Sequence, residues 1–219
     1  MDIDQVTIKI VDAPYPIEMQ IVRNGFTEIK YTTPSDLKEV FSVVESTQSV
    51  FIPPDLIASN LKSFAAFYRP PQITNILLAG DNHKEQKSIQ IPTPGLIMVL
   101  KGTKGKNSGI SIVALKGKER PSDPTAPLFH APFPNINDYG AVCMGNSISV
   151  PFGFDSQAGW LSFWGSAFGN HSTTGKSQKY PNDIRLFLLE LINQSEYPED
   201  DLVPGNINLS DFLSISRRR

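Results

Sequence analysis

Cys143 is the only cysteine among 219 residues, so no internal disulfide can staple this chain. Its fold has to be held by buried apolar surface, and the length allows a core domain of about 100 to 150 residues with something appended. The same count leaves the thiol itself open to three readings: structural filler, reactive nucleophile or intermolecular link. A reducing compartment would keep it free. The opening residues MDIDQVTIKI carry no basic leader and no stretch approaches the roughly 18 apolar residues of a membrane span. The expectation is therefore a soluble, cytoplasmic protein with no membrane association.

Charge narrows the partners further. Twenty basic and 22 acidic residues give a net charge of −2, which is not the footprint of a nucleic-acid binder. Charged residues are 19% of the chain and prolines number 18; few charges and many prolines point to strands joined by stiff turns.

Val6, Ile8 and Ile10 alternate with polar residues, and a second alternating run reaches Asn24-Gly25 before Phe26 begins a third. Asn-Gly between such runs predicts a hairpin, because both residues tolerate positive φ. Thr33, Pro34 and Asp36 read as a helix start, followed by Leu37, Val40, Phe41 and Val44 at helical spacing. Asp55 opens a second predicted helix whose stripe is Ile57, Leu61, Phe64 and Tyr68. Strands are expected at Ile73–Ala79, Leu96–Leu100 and Ile110–Leu115, the last two as antiparallel neighbours. Five prolines between Pro121 and Pro134 make that stretch extended and loop-like. An aromatic segment from Trp160 to Phe168 and a helix from Asp183 to Gln194 complete the pattern. Strands with helices at both ends predict an α+β fold.

Two motifs are near-misses. Gly169 to Ser177 resembles a phosphate-binding loop but has five residues between its glycines where that loop has four, and no buried strand is expected before it. It reads as a polar surface loop. His83, His130 and His171 are far apart and lack any paired spacing with the cysteine, so no metal site is expected.

The informative stretch runs from His130 to Asn146: a proline-braced segment, an Asn-led turn at Asn135, a reversal at Gly140, then Cys143 followed by Gly145 and Asn146. An inert core cysteine sits in a periodic apolar segment, and this one follows a turn. A carboxamide such as Asn135, folded back by the turn, can donate to the oxyanion formed when a thiol attacks a carbonyl.

Pro134-Asn135-Ile136, five intervening residues and then Val142-Cys143 resemble the active-site signature of ubiquitin-conjugating enzymes. Asparagine stands eight residues before the cysteine and glycine three before it. Thr125, Leu128, Ala131-Pro132, Gly140 and Gly145-Asn146, with Pro92 to Leu96 upstream and Trp160, Phe163, Ser166, Phe168 and His171 downstream, are similar to a prokaryotic ubiquitin-conjugating-like branch, the one that includes protein B of the PRTRC plasmid system. The likeness spans roughly residues 90 to 172.

That resemblance implies a core at residues 51–196, an antiparallel β-meander flanked by helices, with the Asp55 helix as the family's first helix. It leaves residues 1–50 as a hairpin-plus-helix extension and 197–219 as a C-terminal tail. It implies a bacterial conjugating enzyme in which Cys143 takes a ubiquitin-like modifier from an adenylating activating enzyme as a thioester and passes it to an amine on a protein target. Asn135 would support the loop or stabilise the oxyanion. His171 would act as base towards the amine or be an ordinary loop residue, and His130 would replace the signature histidine, whose place Phe133 takes, or cap its strand. No cofactor is called for, since ATP is consumed by the activating partner, and a deconjugating peptidase would complete the system. The rival reading is a catalytically inactive scaffold that binds a ubiquitin-like protein non-covalently.

Overall fold

Asn24 and Gly25 both take positive φ, 49° and 77°, which is the geometry of a tight hairpin turn whose twist matches its strands. In the computed structural model, which describes residues 5–10, 17–34, 53–60, 63–80, 85–102, 109–143, 150, 153 and 155–218, that turn joins β2 (Ile17–Arg23) to β3 (Phe26–Thr32). β1 (Gln5–Ile10) adds to the other side of β2, making a three-stranded antiparallel sheet. The helix expected after Thr33 falls beyond Pro34, outside the described residues. By its contacts the chain divides into Met1–Phe51 and Ile52–Arg219.

The larger unit departs from expectation at once. The helix predicted from Asp55 is a hairpin of β4 (Leu56–Ser59) and β5 (Phe64–Arg69). Asn60 makes the turn, its Oδ1 accepting from the amides of Ser63 and Phe64 at 2.9 and 3.0 Å. The misleading stripe arose because β5 is buried on both faces: Phe64, Ala66 and Tyr68 enter one apolar cluster, Ala65 and Phe67 the other. A run of apolar residues contains helical spacings by accident.

β6 (Gln72–Ala79) and β7 (Gln86–Thr93) form a second hairpin. β8 (Gly95–Lys101) and β9 (Gly109–Leu115) pair antiparallel, and β10 (Pro127–His130) follows β9 at its edge. Next come α1 (Ser156–Trp164), β11 (Ala167–Phe168), α2 (Ile184–Glu190), β12 (Pro204–Asn208) and α3 (Leu209–Arg218). One sheet runs β12-β10-β9-β8-β5-β4, and a smaller one runs β11-β6-β7 with β11 parallel to β6.

The parity of β8 organises the core. Leu96, Met98 and Leu100 point into a cluster with β6, β7, α1 and α2, while Ile97 and Val99 point into a second with Leu209 and Phe212 of α3. Both faces of the large sheet are covered, so its central strand is a continuous apolar run. Gly159 lets α1 approach: a Cβ there would lie 2.7 Å from Met98 Cε. Residues 204–218 supply the edge strand β12 and the covering helix α3.

The fold is thus β-rich rather than the expected α+β core of helices around a meander, with 43% strand against 16% helix among the described residues. The helices that do form are short, and a segment assigned to helix by its spacing is a strand pair. No described helix is long and apolar enough to cross a membrane.

Candidate active-site loop

Beyond β10 the chain is clamped by an aromatic residue. Phe133 is fully buried, edge-on to Phe163 and Trp164 at centroid distances of 5.9 and 5.1 Å and tilted against Phe168 at 5.9 Å. It anchors the loop to α1 and β11. The backbone then turns through Asn135, whose φ of 62° lies in the left-handed region that asparagine tolerates.

Asn135 is the joint of the site. Its N–H donates to the His171 carbonyl at 2.8 Å, and its own carbonyl accepts from the Cys143 N–H at 2.7 Å. Its side-chain Nδ2 donates to the Ala167 carbonyl at 2.9 Å. One residue therefore ties the cysteine, the histidine-bearing segment and β11 together.

Between Asn135 and Cys143 the chain makes a small hairpin. Ile136 bridges Val142 and Ala141 bridges Ser111 of β9. Asn137 Oδ1 accepts from the amides of Tyr139 and Ala141, at 3.0 and 2.9 Å. Val142 donates to Ile110, and Gly140 accepts from Ile112 at 2.7 Å. This miniature ladder continues the sheet beside β9 and delivers Cys143 at its end, exposed and free. Met144–Ser149 lie outside the described residues.

The two histidines are placed differently. His171 is exposed and joined to the loop through its carbonyl. His130 is half-buried on β10, its N–H donating to Val203. Burial pushes the His130 imidazole down, helped by the Lys176 cation and opposed by Asp138, so it favours the neutral form. His130 and Asp138 share the wall of a cavity of about 360 Å³ with Ile110, Ser111, Val142 and Phe212. Among the described residues no hydrogen bond joins either imidazole to Cys143, and no cluster of three metal-ligating side chains occurs.

Lys176 is the residue that sequence reasoning missed. Its segment reads as a polar surface loop, and β11 does precede it, contrary to expectation, although no helix opens at the lysine. The side chain is 1% exposed and its Nζ has no hydrogen-bond partner among the described residues. Burial lowers its pKa to about 8, against the opposing pull of Asp138. No signal in a run of Gly, Ser, Thr and Lys marks one lysine as interior.

That burial has a measurable cost. Below about pH 8 Lys176 is protonated in folded and unfolded chains alike and the penalty is fully present. From there to 10.5 the unfolded chain holds the proton more tightly, so stability rises with pH. The drop from 10.5 to about 8 corresponds to roughly 3 kcal/mol at about 1.4 kcal/mol per pH unit. Urea unfolding at pH 7 and pH 10 should show a stability gain in the parent that Lys176→Met lacks. Equal gains in both proteins would assign the effect to other groups.

The site is an exposed thiol at the end of a braced turn on a β-rich scaffold, which makes this a protein with a loop-borne free cysteine. Residues 35–205 match the model of prokaryotic E2 family D, and the chain belongs to that family. The match places the chain among the prokaryotic E2-like proteins and does not single out the PRTRC branch. No curated protein and no solved structure matches the chain.

Proposed function

We propose that this protein is a conjugating enzyme for a ubiquitin-like modifier, with Cys143 as its thioester residue. The supporting observation is the joint at Asn135, which hydrogen-bonds the backbone of Cys143 on one side and of His171 on the other. In the first step the Cys143 thiolate attacks the thioester carbonyl joining the modifier to its activating enzyme. A new C–S bond forms, the old one breaks, and the departing sulfur of the activating enzyme takes up the proton that Cys143 shed on becoming a thiolate. In the second step an acceptor amine attacks the same carbonyl, C–N replaces C–S, and the proton lost by the amine returns to sulfur.

Asn135 acts here through the loop, because its amide is committed to the Ala167 carbonyl. His171, exposed beside that joint, is the candidate base for the incoming amine. His130, lying with Asp138 on the cavity wall, acts on the loop from the side of β10. The partners follow from this chemistry: a ubiquitin-like modifier with a free C-terminus, an adenylating activating enzyme and a protein acceptor.

The test is to incubate the protein with its activating enzyme, modifier and ATP and to measure intact mass. A thiol-sensitive adduct of one modifier is expected, and Cys143→Ala should lack it entirely. Absence of the adduct with active partners rejects the proposal and leaves a non-covalent scaffold.

A further inference from the structure

α3 covers its face of the large sheet through Leu209 and Phe212 and leaves a cavity beside them. His130 pairs with Val113 across the β9–β10 ladder, and Ser111 lies two residues before Val113, so alternation puts all three side chains on one face. Val113 belongs to the apolar cluster of α3, and Ile207 of β12 packs against it. The cavity, of about 360 Å³, has Ser111, Val113, His130, Ile207, Phe212 and the turn residue Asp138 on its walls. Cys143 does not line it.

Three polar groups on those walls are left without partners. Ser111 is buried, yet among the described residues its hydroxyl, the His130 ring and the Asp138 carboxylate make no hydrogen bond or ion pair. Apolar walls with a few convergent polar groups, around a space of this size, are the usual make-up of a small-molecule site. A ligand that fills it must bring an apolar face for Val113, Ile207 and Phe212. It must also bring a donor, because a carboxylate only accepts; a neutral imidazole offers one donor and one acceptor, and a serine hydroxyl offers both. Lys101 also lines the cavity but is engaged in an interaction of its own. An anionic ligand would therefore meet the Asp138 charge with no free cation to offset it.

We propose that this cavity binds a small planar heterocycle bearing an amino or amidine-type donor, its ring against Ile207 and Phe212 and its N–H groups on Asp138. The site is separate from the thiol, and it stands whether or not Cys143 carries a modifier.

The probe is 2-aminobenzimidazole, a flat ring with adjacent N–H donors, titrated calorimetrically into the full chain beside benzimidazole, which lacks the amino group, and benzoate, which is an anion on a flat ring. Saturable binding of one equivalent is expected for the amino probe, with a Kd on the order of 1 mM or tighter. Hydrogen exchange locates it: the amides of Gly140, Ala141 and Val142, all hydrogen-bonded donors in the turn, should exchange more slowly with the probe bound. Asp138→Asn and removal of the amino group should each weaken binding about tenfold or more, the usual loss when a hydrogen bond to a charged group goes. Benzoate should not bind. Ser111→Leu, whose added bulk enters the cavity, should abolish binding. Should that variant fail to fold, Asp138→Asn decides alone, since its side chain is at the surface. No saturable binding of the amino probe, equal affinity in Asp138→Asn, or benzoate binding as tightly overturns the proposal.

Discussion

Phe133→Ala is expected to lower the stability of the larger unit by about 3–5 kcal/mol, the usual cost of emptying a packed aromatic site. The ring is fully buried and touches Phe163, Trp164 and Phe168. Each such aromatic pair adds about 0.5–1.5 kcal/mol beyond area alone. For a unit of this size the loss corresponds to a fall of roughly 6–20 °C in unfolding temperature. Phe133→His, which would restore the conjugating-enzyme signature, should be nearly as damaging. An imidazole there would trade ring contacts with Phe163, Trp164 and Phe168 for a smaller polar ring in an aromatic pocket, where any nitrogen left unpaired is penalised. Phe133→Leu should be the mildest of the three. Calorimetry of the series checks this order; a histidine variant as stable as the parent would mean that the pocket offers a polar partner after all.

On the proposed conjugating function, Gly140→Ala should reduce modifier charging by tenfold or more, out of proportion to its effect on stability. Two costs combine at this position. Its φ of +81° charges an alanine about 1–2 kcal/mol, and an added Cβ would sit 2.9 Å from the Ile112 carbonyl and 3.2 Å from Val113 Cγ1. The carbonyl belongs to β9 and cannot swing aside, so the turn must lift, taking Cys143 with it. Misplacing a reacting group by about 1 Å can cost about a hundredfold in rate. Gly117→Ala is the control: its φ is +89° but nothing lies within 4 Å of a Cβ. It should lose stability by the backbone cost alone and charge normally. Equal charging in the two variants would show that the close approach to β9 is unimportant to the site.

Local patterns carried well where one interaction decides the outcome. Asn24-Gly25 turns the chain because two adjacent residues tolerate positive φ, and Asp183 caps α2 by accepting from the Arg185 amide. The pairing of β8 with β9 follows from two apolar runs and a short connection. The order Asn135, Gly140, Cys143 was equally legible as a motif, and it located the loop that the structure braces.

Other features depend on what lies across the core. Residues 55–69 contain a helical stripe and a strand pair at once, and burial of β5 on both faces chooses the strands. That choice moves the protein from an α+β expectation to a β-rich fold. Lys176 looks like any lysine in a polar run until the pinned backbone turns it inward. The bonds from Asn135 to Cys143 and His171 join residues whose distance along the chain hides their contact.

By itself the sequence determined the turns, the strand runs and the residue types of the loop, because these depend on φ preferences and on neighbours a few positions away. Only the tertiary structure decided the fold class, the burial of Lys176 and the bracing of Cys143. Each of those is a balance between desolvation and packing, and the atoms that settle it come from elements far apart in the chain.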